Sequence, residues 1–173
     1  MILWLTGMSG SGKSTIGKLV YEQFKAVKPN MVLIDGDQIR DVFQHDKTPI
    51  GYDLKGRRYN AERIGNLCLW LDKQQINVVC CILCIFPDLL EKNRTIFSCY
   101  REVFVTAPME VLEQRDTKGL YKGACDGSID NVVGVQIPFP EPLHSHLSFD
   151  TSLNKSPSDV ATEIVKKWVE LLQ

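Results

Sequence analysis

The sequence has 173 residues, 44% of them hydrophobic and 24% charged, which is typical of one folded domain and excludes a disordered or collagen-like chain. Its 20 Lys and Arg residues nearly balance its 21 Asp and Glu residues, and the formal net charge of −1 leaves no overall positive field to hold a nucleic-acid polymer. Because no apolar run approaches the roughly 20 residues of a membrane span and no charged leader precedes the first one, we expect a cytoplasmic protein without a membrane partner.

The first half of the chain is predicted to alternate between strands and helices. Continuous apolar runs at residues 2–6, 31–34 and 76–86 predict three strands. Runs without polar alternation indicate burial on both faces, as in a parallel sheet. Apolar residues at helical spacing predict helices over residues 13–28 and 57–74.

The second half continues this order around one irregular segment. Residues 102–106 and 146–150 predict two further strands, with a short helix over residues 108–115 and a capped helix at the C-terminal end. Residues 117–142 are rich in Gly and Pro and lack apolar runs, so we expect a long mobile loop there with at most a helical turn. The order predicts a single α/β domain over residues 1–173.

A phosphate-binding loop is predicted between the first strand and the first helix. The string GMSGSGKS at residues 7–14 fits the pattern G-x-x-x-x-G-K-[ST] and has the strand and helix that this pattern requires on either side. In such a loop backbone N–H groups surround the β-phosphate, the lysine reaches the β- and γ-phosphates, and the hydroxyl ligates Mg²⁺. We therefore expect ATP and Mg²⁺, with Ser14 as a metal ligand. The residues predicted to bind the nucleotide are Gly7, Ser9, Gly10, Ser11, Gly12, Lys13, Ser14 and Thr15.

An acidic pair follows the second predicted strand. Asp35 and Asp37 would lie at the carboxyl edge of the sheet beside the phosphate loop, where ligands of α/β proteins bind. One carboxylate can organise Mg²⁺ and the other can accept a hydroxyl proton. We assign Asp37 as the base and Asp35, with Lys13, to the catalytic set, although the sequence leaves the two Asp roles exchangeable. The arginines Arg40, Arg57 and Arg63 are predicted phosphate ligands, and for each a surface ion pair is the alternative.

These motifs resemble the adenylylsulfate (APS) kinase family over nearly the whole chain. The most specific of them is the string RDTKGLYK at residues 115–122. The resemblance implies a P-loop kinase with three α/β/α layers, a mainly parallel five-stranded sheet and a mobile lid over about residues 117–142. It implies a homodimer that transfers the γ-phosphate of ATP to the ribose 3′-hydroxyl of a small-molecule nucleotide. By matched position, Arg115 would lie against the adenine of ATP, and the acceptor and lid residues would be Arg40, Arg57, Asn60, Lys118 and Lys122.

The departures from the family pattern fall on the acceptor side. Two Phe rings clamp the acceptor adenine in the APS kinase pattern, and the matching positions here are Tyr52 and Val132. The active-site Ser of the family is replaced by Phe86, which we expect to fill space beside the acceptor, and the lid Asp-Asp-Pro begins here at Gln136. Losing one stacking face costs about 1–3 kcal/mol per base. The substitutions thus favour a smaller pyrimidine as the acceptor base. The resemblance to the branch of the family that phosphorylates cytidine diphosphoramidate in capsule phosphoramidate biosynthesis implies that acceptor, with APS as the alternative.

A function of another class is a catalytically inactive nucleotide-binding regulator. The phosphate-loop residues Lys13 and Ser14 and the acidic residues Asp35 and Asp37 are all present. A protein that only binds nucleotide has no physical need for both sets, so the sequence favours an enzyme.

Two further patterns are interpreted as structural. Cys81 and Cys84 have the spacing of half a zinc or redox site, but they lie in the predicted third strand and no second pair follows. We expect reduced, buried thiols. The three tryptophans are predicted to lie in the core or at a subunit interface, and they are Trp4, Trp70 and Trp168.

Overall fold

The computed structural model describes residues 1–44 and 50–172, and in them the strands form one five-stranded sheet. All four neighbouring strand pairs are parallel, and the spatial order is β2-β3-β1-β4-β5. The predicted α/β class and five-stranded parallel sheet are therefore confirmed. The strands are β1 (Ile2–Thr6), β2 (Met31–Asp35), β3 (Asn77–Ile82), β4 (Tyr100–Thr106) and β5 (Leu147–Asp150).

Seven α-helices in the described part of the chain cover the two faces of the sheet. Two of them, α2 and α4, were not predicted from the sequence. The side chain of Asp35 caps α2 by accepting from the Asp37 N–H, and Pro87 opens α4 at a first-turn position that suits proline. The helices are α1 (Lys13–Val27), α2 (Gly36–Val42), α3 (Leu54–Lys73), α4 (Pro87–Ile96), α5 (Met109–Gln114), α6 (Leu120–Cys125) and α7 (Pro157–Trp168).

Two apolar cores lie on opposite faces of the sheet because successive side chains of a strand point to opposite sides. In β1, Leu3 and Leu5 pack with helices α1 and α7, whereas Ile2 and Trp4 pack with helices α3 and α4. All four of these side chains are buried. The burial on both faces explains why the first four positions of β1 are all apolar.

Helix α1 approaches β3 very closely at one point. A Cβ atom at Gly17 would overlap the Sγ atom of Cys81, so this position needs glycine. The Cys81 thiol donates to the carbonyl oxygen of Lys13 at 3.5 Å, which links the first turn of α1 to β3. Cys81 and Cys84 are buried and free, as predicted, and burial raises the pKa of each thiol to about 12.

The segment predicted as an irregular lid contains a defined helix and a core of its own. The side chain of Asp116 accepts hydrogen bonds from three successive N–H groups at the start of α6, those of Leu120, Tyr121 and Lys122, at 2.8–3.1 Å. Tyr121 and Val132 are buried in a third apolar cluster that includes Leu112. The segment is thus more ordered than its Gly and Pro content predicted.

The tryptophans divide between core and surface. Trp4 and Trp168 are buried, as predicted, but the side chain of Trp70 on α3 is 60% exposed. The helical spacing showed that Trp70 lies near the apolar face of α3. It did not show whether the side chain lies at the buried centre of that face or at its exposed edge. Among the described residues, no helix is long and apolar enough to cross a membrane.

Candidate active site

A cleft of about 870 Å³ opens where the strands end, and most of the predicted site residues line it. Its volume lies near the upper end of the range for small-molecule sites, and its wall comes from the phosphate loop, the ends of β2 and β3, the start of α3 and the lid. The predicted site residues that line it are Ser9, Gly10, Gly12, Lys13, Ser14, Thr15, Asp35, Asp37, Arg40, Tyr52, Arg57, Asn60, Arg115, Lys118 and Val132.

The phosphate loop is shaped to present N–H groups to an anion. Gly10 and Gly12 have φ angles of 77° and 93°, in the left-handed region that favours glycine. Helix α1 begins at Lys13, so its N-terminal dipole also favours negative charge in the cleft. Gly7 and Ser11 support the loop from behind: Ser11 is buried, and a Cβ atom at Gly7 would overlap the Val105 carbonyl oxygen.

Lys13 is held within the loop before any ligand binds. Its Nζ atom donates to the carbonyl oxygen of Met8 at 3.1 Å. Burial lowers the pKa of the Lys13 amine, and the neighbouring carboxylates of Asp37 and Asp35 oppose this shift. A bound phosphate would act in the same direction as these carboxylates by favouring the charged amine.

The two carboxylates of the acidic pair have different surroundings. Both oxygens of Asp35 are occupied, since Oδ2 accepts from the Ser14 hydroxyl at 2.6 Å and Oδ1 accepts from the Asp37 N–H at 2.9 Å. Oδ2 of Asp37 is paired with the Nζ atom of Lys118 from the lid. Within residues 1–44 and 50–172, no hydrogen bond is made to Oδ1 of Asp37. Asp37 therefore has one oxygen that accepts from no protein donor among the described residues, whereas each oxygen of Asp35 already accepts one hydrogen bond.

The oxygen atoms beside Lys13 suit a small divalent cation. The Ser14 hydroxyl and the Asp35 carboxylate are hard ligands of the kind that Mg²⁺ prefers. In the described part of the chain, no group of three or more His, Cys, Asp or Glu side chains could hold a metal ion. A site with few protein ligands fits Mg²⁺, which keeps waters and takes substrate phosphates as its other ligands.

One end of the cleft combines an aromatic ring with two guanidinium groups. Arg40 lies 4.4 Å and Arg57 lies 5.7 Å from the centre of the Tyr52 ring, measured from the guanidinium carbon. Burial lowers the pKa of both arginines, and Arg40 lowers that of Arg57 further. Arg57 also donates to the carbonyl oxygen of Asn131 at 2.8 Å, which fixes the lid against α3. Two close, partly buried cations favour an anionic ligand here.

A loop held by Gln136 presents Val132 to the same end. The Gln136 side chain accepts from the Val132 N–H at 2.8 Å and donates to the carbonyl oxygen of Ile129 at 3.2 Å. The sequence identified Gln136 only as a departure from the family pattern. Its role in shaping the loop could not be predicted, because it depends on the fold of the lid.

Phe86, predicted as a substrate residue, does not line the cleft. Its ring is partly buried and packs on the core under α3 and on the apolar cluster that includes Val133 and Ile137. The guanidinium of Arg58 lies 4.4 Å from the ring centre, and Asp88 holds that guanidinium by two hydrogen bonds of 2.8 and 3.0 Å. Phe86 is thus outside the cleft lining, and its place beside the acceptor stays a prediction.

Two further predicted residues, Lys122 and Arg63, are also outside the lining. Lys122 has an exposed side chain on α6, and Arg63 donates to the side-chain oxygen of Asn60 at 2.7 Å.

Another part of the cleft wall is built around Arg115. Its guanidinium donates twice to Thr151, to the hydroxyl and to the carbonyl oxygen, both at 2.8 Å. The Thr151 hydroxyl lies 3.0 Å from the carbonyl oxygen of Ser11, which links this part to the phosphate loop. Thr151 was missed in the sequence, where it is one polar residue in a run after the last strand.

Tyr121 is another residue beside the site that the sequence did not single out. Its hydroxyl donates to the carbonyl oxygen of Ser9 in the phosphate loop at 2.8 Å. The signal available in the sequence was its place in the string at residues 115–122, which was interpreted as a source of lid lysines.

Comparisons with known proteins agree with this geometry. The family model for adenylylsulphate kinase matches residues 1–150. A cytidine diphosphoramidate kinase from Campylobacter jejuni is 36% identical over 166 residues, covering 96% of this chain and 95% of the relative. An adenylyl-sulfate kinase from Gloeothece citriformis is 33% identical and covers 91% and 88%. The APS kinase of Mycobacterium tuberculosis in complex with AMPPNP and APS superposes with a TM-score of 0.82, at 26% identity and 95% coverage of each chain. The chain is thus an ATP-dependent kinase that belongs to the adenylylsulphate kinase family.

Proposed function

We propose that this protein transfers the γ-phosphoryl group of ATP to the ribose 3′-hydroxyl of a nucleotide acceptor, and that the acceptor is cytidine diphosphoramidate. The observation that carries the proposal is the arrangement of one cleft with two chemically different groups of residues. Arg115 is linked to the phosphate loop through Thr151, Tyr52 is grouped with Arg40 and Arg57, and both groups line the same cleft as Asp37.

The phosphoryl transfer follows from this arrangement. The loop N–H groups and Lys13 hold the β- and γ-phosphates and offset their charge. Oδ1 of Asp37 accepts the proton of the acceptor hydroxyl while Lys118 remains on Oδ2. The hydroxyl oxygen forms a bond to the γ-phosphorus, and the bond from that phosphorus to the bridging oxygen breaks, which leaves ADP.

Mg²⁺ is proposed as the metal of this reaction. Ser14 and Asp35 would hold it, directly or through water, on the ground of their adjacent oxygen atoms. When bound, the ion neutralises charge on the β- and γ-phosphates. Asp35 then serves the metal and leaves the proton to Asp37.

The choice of acceptor rests on the surfaces at the Tyr52 end. Tyr52 and Val132 both line the cleft, and we propose that the acceptor base meets this one aromatic ring and this one aliphatic side chain in place of two rings. That arrangement weakens stacking by about 1–3 kcal/mol per base, and a smaller pyrimidine needs less of it. The 36% identity to a cytidine diphosphoramidate kinase supports the same acceptor. APS remains the second candidate, because relatives at 33% identity are adenylyl-sulfate kinases.

The test is acceptor-stimulated release of ADP from Mg·ATP by the purified protein. Cytidine diphosphoramidate, APS, CDP and buffer alone are compared under identical conditions, and Lys13→Ala serves as the control for contaminating kinases. We expect the cytidine diphosphoramidate arm to give the highest kcat/KM. Equal or better turnover of APS would assign the protein to that acceptor, and an unstimulated rate in every arm would refute both.

A further inference from the structure

A buried hydroxyl group of the lid donates a hydrogen bond to the phosphate loop. Tyr121 on α6 is 2% exposed, and its Oη atom donates to the carbonyl oxygen of Ser9 at 2.8 Å. Its ring packs in the third apolar cluster with Leu112 and Val132. Tyr121 does not line the cleft, so it contacts the loop from behind.

The hydrogen bond to the Ser9 carbonyl also fixes the direction of the Gly10 N–H, because both groups belong to one peptide unit. A trans peptide is planar, and its C=O and N–H bonds point in opposite directions. The described residues contain no cis peptide bond. With the Ser9 carbonyl turned toward Tyr121, the Gly10 N–H is turned away from it, and both Ser9 and Gly10 line the cleft. In the described ranges this N–H donates to no protein acceptor.

We propose that Tyr121 is a positioning residue: its hydroxyl fixes the Ser9–Gly10 peptide so that the Gly10 N–H faces the β-phosphate of the bound nucleotide. The inference rests on the nucleotide binding of the proposed function and adds a residue to it. The left-handed φ of 77° at Gly10 is a conformation that glycine does not enforce by itself. An outside anchor on the carbonyl selects one orientation among those open to the loop.

The anchor is itself held in place. Asp116 accepts from the Tyr121 N–H at 2.8 Å and from two neighbouring N–H groups, so the start of α6 is fixed where the hydroxyl must reach Ser9. Burial raises the pKa of Tyr121 to about 12, with Asp116 and Glu113 adding to the shift. The hydroxyl therefore remains a donor at any pH at which the enzyme would be assayed.

The experiment compares binding of ADP and AMP by isothermal titration calorimetry in wild type, Tyr121→Phe and Tyr100→Phe. ADP carries the β-phosphate that the Gly10 N–H is proposed to meet, and AMP does not. Tyr100→Phe is the matched control, because it also removes a buried hydroxyl, one that donates to Glu102 at 2.6 Å and does not line the cleft. We expect Tyr121→Phe to raise the Kd of ADP about fivefold, the effect of one neutral hydrogen bond. The Kd of AMP in this variant and both Kd values in Tyr100→Phe should match wild type.

Two results with a folded Tyr121→Phe variant would overturn the proposal. An unchanged Kd for ADP in Tyr121→Phe, or equal weakening of ADP and AMP, would show that the hydroxyl has no role or only a general structural one. If Tyr121→Phe does not fold, Asp116→Asn is measured in its place, and the same selective loss of ADP affinity is required. Absence of ADP binding by the wild-type protein would refute the proposed function as well, whereas normal binding by Tyr121→Phe would refute only the positioning role.

Discussion

Replacement of Asp37 by Asn separates the two carboxylates of the acidic pair. The Asp37→Asn variant keeps the size of the side chain and an oxygen for Lys118, but its amide cannot take up a proton. Asp35 is less suited to replace it, because each of its oxygens already accepts a hydrogen bond, from the Ser14 hydroxyl and from the Asp37 N–H. We therefore expect the loss to appear in kcat and not in the KM for ATP.

The magnitude follows from the surroundings of Asp37. A positioned general base contributes about 10²- to 10⁴-fold, which corresponds to about 3 to 5 kcal/mol of the barrier. The ion pair of Asp37 with Lys118 has side chains that are 62% and 53% exposed, so its contribution to stability is at most about 1 kcal/mol. The variant should therefore remain folded, and its defect should be chemical.

The assay is single-turnover transfer from Mg·ATP to saturating acceptor, with urea unfolding measured in parallel. Asp41→Asn is the matched control, since Asp41 is an exposed carboxylate on the same helix and does not line the cleft. Asp35→Asn should raise the Mg²⁺ concentration needed for half-maximal rate. A near-wild-type rate in Asp37→Asn together with a collapse in Asp35→Asn would show that the roles are reversed and that free oxygens do not identify the base.

Three further results are expected. Val132→Phe adds a second aromatic surface to the cleft and should raise kcat/KM for APS relative to the cytidine nucleotide about tenfold; an unchanged ratio in competition assays would contradict the acceptor assignment. Glu102→Leu removes a fully buried carboxylate whose Oε1 lies 3.0 Å from Arg94. Urea unfolding should show that the free energy of unfolding falls by about 3 kcal/mol and is partly recovered when Arg94→Met is added. A fall of less than about 1 kcal/mol would argue against a buried pair. Between pH 7 and 9 iodoacetamide should label exposed Cys125 but not Cys81, because a thiol whose pKa is raised to about 12 stays protonated there; mass spectrometry of the native protein would reveal labelling at Cys81 if this reasoning fails.

The parts of the site that the sequence predicted are those encoded locally. The pattern of the phosphate loop lies within eight consecutive residues. The acidic pair directly follows a strand that its apolar run predicted. Both lie in the cleft as expected. Parallel strands place their carboxyl ends at one edge, so local patterns were enough to bring Lys13, Asp35 and Asp37 together.

The parts that were missed depend on contacts between distant segments. Tyr121 reaches Ser9 and Thr151 reaches Ser11 across more than a hundred residues, and neither pairing leaves a periodic or compositional trace. The position of the Phe86 ring depends on distant contacts in the same way. Its residue type indicated a large ring after β3, but the contacts with Arg58 and with two apolar clusters decide where that ring lies.

The close contact between Gly17 and Cys81 means that the phosphate loop is not a portable module. The distance between α1 and β3 determines the position of Lys13 at the start of the helix. That distance depends on the combined volume of the side chains at positions 17 and 81. Grafting residues 7–14 onto another strand and helix would transfer the sequence pattern without this spacing. A homologue with alanine at position 17 would need a smaller side chain at position 81, so we expect the two positions to vary together in volume during evolution.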